Sequence, residues 1–162
     1  MDLELSAEQK LIQETARRFA RTELDPVAAR LDRAEDRETF LSNLKKLAGL
    51  GFMGLTVSEE YGGVQAGTVA FSVALTEIAR ACASTAVTVS VNNLVCEVIQ
   101  SVGTEAQKQA YIPKICSGEY AAGSFALLRV GHAHAAERLQ CIELVGRRKM
   151  VERKRACEIA RD

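Results

Sequence analysis

The chain has no tryptophan, only 2 prolines and 2 histidines, no excess charge of either sign, and no run approaching the roughly 18 uncharged apolar residues of a membrane-spanning helix. It is therefore not expected to cross a membrane. The start Met1-Asp2-Leu3-Glu4-Leu5-Ser6 is acidic where a secretory leader needs a basic segment, so none is expected. Cysteine is sparse and odd in number: the 5 thiols at 82, 96, 116, 141 and 157 include no close pair, which argues against a disulfide framework and against a Cys-x-x-Cys metal or redox site. A reduced, cytoplasmic setting is the natural reading. What remains is 162 residues, 48% hydrophobic and 26% charged, the make-up of one soluble domain that buries roughly 70% of its unfolded surface without staples.

The balanced charge hides a seam. Residues 1–128 hold 12 basic and 16 acidic side chains, whereas 129–162 hold 9 and 5. Before the seam the pattern is mainly helical. Ser6 with Gln9 forms a capping-box signature, and Ile12, Ala16, Phe19 and Leu24 recur at helical spacing, which predicts a helix over 6–24 that Pro26 interrupts. A second helix starts near Asp36, carries Phe40, Leu44, Leu47 and Ala48 on one stripe, and meets Gly49 and Gly51, either of which can supply a left-handed cap. Residues 51–63, with four glycines and no period, read as an ordered loop with apolar anchors. A helix from about Thr68 buries Phe71, Ala74, Leu75, Ile78, Ala79 and Cys82; Thr104 and Gln107 open another that Pro113 should shorten. Over 84–100 the residues divide evenly. Val87, Val89 and Val91 alternate as in a strand, and Leu94, Val95, Val98 and Ile99 have helical spacing.

Few residues suggest autonomous chemistry. His132 and His134 lack a third ligand at metal-binding spacing and read as surface histidines. Glu59 and Glu60 could form an acid/base pair, but adjacent side chains point apart, which favours a solvated loop. Gly62-Gly63 lacks the spacing of a phosphate-binding loop and reads as a sharp turn. Cys82 and Cys96 have no histidine in the first 131 positions to activate them and are small core fillers. The basic residues of the tail are interleaved with acids and lack aromatics, so nucleic acid is not an expected partner.

Several pieces, in order, resemble the amino-terminal part of the acyl-CoA dehydrogenase family. They are Leu5-Ser6-Ala7-Glu8-Gln9-Lys10-Leu11-Ile12, Ala16-Arg17-Arg18-Phe19-Ala20, Gly51-Phe52-Met53-Gly54-Leu55, Val57-Ser58-Glu59-Glu60-Tyr61-Gly62-Gly63, Glu77-Ile78-Ala79-Arg80, Ala83-Ser84-Thr85-Ala86, and Gly103-Thr104-Glu105-Ala106-Gln107-Lys108 with Tyr111-Ile112-Pro113-Lys114. The resemblance covers about residues 3–127, with Ser58 standing where the family usually has proline. It implies an all-α, up-and-down helical bundle over 1–120, which sides with helix for 84–100, and the start of a middle β-domain as a strand at 121–128. It also implies FAD as cofactor, an acyl-CoA thioester as substrate, electron-transfer flavoprotein as partner, and a catalytic glutamate in a later helical domain. In such enzymes the glutamate takes the α-proton while the β-hydrogen leaves as hydride to the flavin.

Of the family's cofactor-binding positions, Phe125 and Leu127 match; no catalytic or metal-binding residue is carried over. The match ends where the family has Thr/Ser-Glu-Pro: here Leu128-Arg129-Val130-Gly131-His132 follows, and Leu128 cannot make the hydroxyl's hydrogen bond. Residues 129–162 form a divergent basic tail, as compatible with a short helix over about 133–145 as with a solvated segment. Its abrupt change of pattern leads to the hypothesis of an out-of-frame translation. Lys149-Met150-Val151, shifted by one nucleotide, reads Lys or Arg followed by Trp in any codon choice, and the family has a Trp-x-Val/Leu-Asn-Gly segment. Sequencing the gene tests this: a next frame without Thr/Ser-Glu-Pro and without that tryptophan segment overturns it. The expected product is a fragment inactive alone, self-associating through faces made for absent domains; the alternative is a non-catalytic helical module that binds a full-length relative.

Overall fold

The computed structural model describes residues 4–33 and 36–123. Helix α1, Ala7–Phe19, begins as its capping box requires: the Gln9 amide donates to Ser6 Oγ at 3.2 Å and the Ser6 amide to Gln9 Oε1 at 3.0 Å. The chain does not stop at Leu24. A π-helical turn, Ala20–Leu24, leads directly into α2, Asp25–Arg33, with the Asp25 amide reaching back to the Ala20 carbonyl. The expected break at Pro26 is thus replaced by a widened turn before it. Proline is tolerated in a first helical turn, and a π-turn redistributes the carbonyls that its ring would otherwise meet.

Asp36 accepts the Thr39 amide at 3.1 Å and caps α3, Arg37–Gly49. Of the two glycines considered for its end, Gly49 stays within the helix and Gly51, at φ 82°, takes the left-handed position. Two 3-10 turns, Phe52–Gly54 and Glu59–Tyr61, fold the next segment, whose Phe52, Met53, Leu55, Val57 and Tyr61 are all buried. Helix α4, Gly67–Ala81, follows. Ala74, Ile78 and, just beyond it, Cys82 are buried as expected, whereas Phe71 and Leu75 are half-buried and Ala79 is exposed, a full 100° round the helix from Ile78.

The divided stretch is helical: α5 spans Ala83–Val102. Its buried residues Thr85, Ala86, Val89, Asn92, Asn93 and Cys96 recur at three and four, and Val87 is 61% exposed while Val89 is buried. Packing phase therefore overrides the β-propensity of the valines. The Thr104–Gln107 capping box opens α6, Glu105–Cys116, which runs three residues past Pro113 instead of ending there. The Pro113 carbonyl still accepts the Ser117 amide at 2.9 Å, so the last turn closes although the ring removes one donor upstream.

These six α-helices make an all-α bundle in which α1 packs on α4, α4 on α5 and α5 on α6. One core, built on Phe19, Leu24, Leu44, Leu47, Phe52, Ala74 and Ile78, joins α1, α3 and α4. A second, with Val57, Tyr61, Val95, Cys96, Ile112, Ile115 and Cys116, lies between α5 and α6. No helix among the described residues is long and apolar enough to cross a membrane. Of the strand expected at 121–128, only 121–123 falls within the described residues, and there Gly123 occupies an isolated β-bridge position.

Candidate functional site

The region of interest is where α5 meets both the 51–63 loop and the segment 121–123 that leads toward Phe125 and Leu127. Two adjacent asparagines, Asn92 and Asn93, are buried there in an otherwise apolar stretch. Buried amides must find partners, and each of these does so on the backbone of a different segment. Asn93 Nδ2 donates to the Phe52 carbonyl at 2.9 Å and to the Val89 carbonyl at 3.0 Å, and its Oδ1 accepts the Thr56 amide at 3.4 Å. Asn92 Nδ2 donates to the Ala121 carbonyl at 3.3 Å and to Met53 Sδ at 3.2 Å, while its Oδ1 accepts the Gly123 amide. Farther along α5, Gln100 Oε1 accepts the Ser58 amide at 2.9 Å. The loop and the segment are thus both fastened to one helix.

The sequence reading did not single out these asparagines. The available signal was a pair of primary amides inside a run that otherwise reads Val91 and Leu94, since polar side chains in the middle of an apolar helix need buried partners.

Of the residues it did single out, Glu59 and Glu60 are exposed, as a solvated loop requires. Tyr61 between them and the bundle is buried and donates to Glu105 at 3.1 Å; hydrogen bonding to Glu60, burial, and the Glu105 carboxylate all push its phenol above its usual range. Gly62-Gly63 is a turn. The Gly62 amide is taken by the Glu59 carbonyl at 2.9 Å and the Gly63 amide by the Ser58 carbonyl at 3.1 Å, so neither is free to cradle a phosphate.

Cys82 and Cys96 are buried within the two cores, as fillers should be. Burial opposes the Cys82 thiolate, but hydrogen bonds from Ser84 and Thr85 together outweigh it and draw this thiol below its ordinary value. The fold also joins two thiols that are distant in sequence: Cys96 and Cys116 share one core, and the interaction with Cys116 together with burial pushes the Cys96 thiol upward. Among the described residues no group of three His, Cys, Asp or Glu is placed to hold a metal ion. Phe125, Leu127, Leu128, His132 and His134 lie outside the described residues.

A separate polar centre ties α1 to α4. Glu77 is 4% exposed, and its carboxylate accepts from Arg17 Nη2 at 2.9 Å, Arg17 Nε at 3.3 Å, Arg80 Nη1 at 3.2 Å and Gln13 Nε2 at 3.2 Å. The hydrogen bonds from Arg17 hold it below the usual carboxylate value against the opposing effect of burial. With every lone pair engaged in this way, Glu77 serves as a strut rather than a base.

The family model for the acyl-CoA dehydrogenase N-terminal domain matches residues 6–119. The chain belongs to the acyl-CoA dehydrogenase family, and the bundle described above is its amino-terminal helical domain. It is 36% identical over 120 residues to a short-chain specific acyl-CoA dehydrogenase of Clostridium acetobutylicum, covering 74% of this chain and 31% of that one. The solved acyl-CoA dehydrogenase complexed with FAD from Bacillus anthracis is similar at a TM-score of 0.67 and 28% identity, over 74% of this chain and 20% of that one. A chain solved in work on the electron transferring flavoprotein of Acidaminococcus fermentans is similar at a TM-score of 0.66 and 30% identity, over 74% and 31%. This chain spans about a third of the length of the curated relatives it matches.

Proposed function

We propose that residues 6–119 serve as the helical domain of an FAD-dependent acyl-CoA dehydrogenase, and that the 162 residues alone do not turn over acyl-CoA. The observation carrying this reading is the match over 6–119, together with a buried amide that fastens the chain just before Phe125 and Leu127, the two flavin-contacting positions the resemblance assigns. FAD, when bound, supplies the hydride acceptor. This chain fits that group only in part. Phe125 and Leu127 provide the apolar wall by residue type, but Leu128 offers no hydroxyl. Acyl-CoA as substrate and an electron-transfer flavoprotein as electron acceptor follow from the same reading.

A domain exchange tests it. Residues 6–119, replacing the corresponding part of the C. acetobutylicum relative, should give a chimera that binds FAD and dehydrogenates acyl-CoA within about tenfold of the parent, a difference of about 1.4 kcal/mol in the barrier. A chimera that folds and binds FAD but is inert overturns the reading. The 162 residues alone, mixed with FAD, acyl-CoA and an electron-accepting dye, should reduce none of the dye.

Self-association accompanies this reading. Val87, Leu94 and Val102 of α5 are 61%, 41% and 54% exposed on one helix, an amount of apolar surface that a second copy or a neighbouring domain would cover. Light scattering is expected to give a mass above the 17.6 kDa of one chain, rising with concentration. A compact monomer at all concentrations would count against it.

A further inference from the structure

We infer that Asn92 is a positioning residue: its side-chain amide reads the backbone on either side of Ala122 and fixes residues 121–123, which precede Phe125 and Leu127 in the sequence, against α5. The inference rests on the proposed dehydrogenase role for what that placement is for, and on the geometry alone for the clamp itself. Three observations carry the clamp. Asn92 lies wholly inside the protein, so each of its polar atoms needs a partner. Those partners are the Ala121 carbonyl and the Gly123 amide, one acceptor and one donor, flanking a single residue. A neighbouring β-strand offers an equivalent donor and acceptor to the residue it pairs with. Asn92 therefore stands in for a strand where the partner is a helix, which presents no free backbone groups along its side. The remaining Nδ2 hydrogen goes to Met53 Sδ, which fixes the orientation of the amide from the loop side.

Gly123 is seated tightly in this clamp. A Cβ there would meet Val95 Cγ2 at 3.1 Å and Asn92 Oδ1 at 3.4 Å, so the backbone lies directly on α5. Asparagine is also the side chain suited to the task. Aspartate has the same shape but no donor for the Ala121 carbonyl, and leucine fills the volume with neither group.

Native-state hydrogen exchange followed by NMR on the 162-residue chain tests the inference. The Gly123 amide should exchange about tenfold more slowly in the unsubstituted chain than in Asn92→Leu, the change expected from losing one buried hydrogen bond. The amides of Leu47 and Ile78, in the other core, should keep their protection. Asn92→Asp supplies the signature that a purely space-filling role would not give. Its carboxylate still accepts the Gly123 amide but repels the Ala121 carbonyl at neutral pH, so protection of Gly123 should fall between those of the other two proteins there and rise in acid, where the protonated carboxyl again donates to Ala121. Protection of Gly123 that is equal in all three proteins overturns the inference, as does an Asn92→Asp profile without pH dependence.

Should either variant fail to fold, the unsubstituted chain decides. Slow exchange of the Asn92 side-chain amide protons, with through-space contacts from them to Ala121 and Gly123, sustains the clamp, and fast exchange without such contacts overturns it. An inert but folded domain-exchange chimera, by contrast, removes the dehydrogenase reading and leaves the clamp standing.

Discussion

Gly63→Ala should lower the stability of the helical domain by about 2–4 kcal/mol, the combined cost of overpacking and of a displaced backbone hydrogen bond. A Cβ at this position would lie 2.1 Å from the Val57 carbonyl oxygen and 2.4 Å from its carbon. Backbone cannot rotate aside as a side chain can. The Val57 carbonyl also accepts the Gln65 amide at 2.9 Å, within a set of contacts that includes Val64 to Gly54 and Ala66 to Leu55, so moving it disturbs the whole loop. Two other glycines give the scale. At Gly62 there is open space but φ is 83°, so Gly62→Ala should cost about 1 kcal/mol for the left-handed backbone. At Gly49, inside α3 with nothing near the added atom, alanine should be neutral or stabilising by up to about 1 kcal/mol. Urea midpoints should fall in the order Gly49→Ala, unsubstituted, Gly62→Ala, Gly63→Ala. A Gly63→Ala midpoint equal to that of Gly62→Ala would show that the loop yields easily and sink the argument.

Glu77→Ala should cost about 2–3 kcal/mol at neutral pH. Removing one partner of a buried ion pair strands the others, and the figure sits at the low end for such pairs because Arg17 and Arg80 reach water and can be solvated there. The pH dependence has a definite sign. Arg17 holds the Glu77 carboxyl below its ordinary value of 4.5, so the folded state binds its proton more weakly than the unfolded chain does. Its contribution is therefore complete above that ordinary value and is lost as the pH falls through the lower folded one. Glu77→Gln keeps the shape and removes the charge, so its unfolding midpoint should fall less steeply in acid than that of the unsubstituted chain. Parallel acid limbs for the two proteins would show that Glu77 carries no part of the acid sensitivity.

Much of the bundle could be read from local signals because those signals act within a few residues. Ser6 with Gln9 and Thr104 with Gln107 place two helix starts where the structure has them, since a capping hydroxyl needs only the amide three residues on. Pro26 and Pro113 were expected to end or shorten helices, and Ala79 to be buried; instead the backbone widens one turn before Pro26 and closes the last turn after Pro113 by local hydrogen bonds, while Ala79 falls on the exposed face of α4. The candidate site was legible only at its margin. Phe125 and Leu127 came from resemblance, whereas Asn92, which holds the approach to them, was passed over because its partners lie 29 and 31 positions away.

By itself, the sequence determined that this is a helical domain with its family's loop at 51–63, because period, caps and glycine placement are local properties that survive without knowledge of the partner surfaces. It also located the seam near 128, where the charge balance and the family pattern change together. Only the tertiary structure decided that 84–100 is helix in the actual packing, that Cys96 meets Cys116, that Gly63 lies against a carbonyl, and that two buried asparagines fasten the loop and the outgoing chain to α5. The physical reason is the same throughout: burial and hydrogen-bond satisfaction are conditions on groups that meet across the fold, and a linear sequence does not say which groups meet.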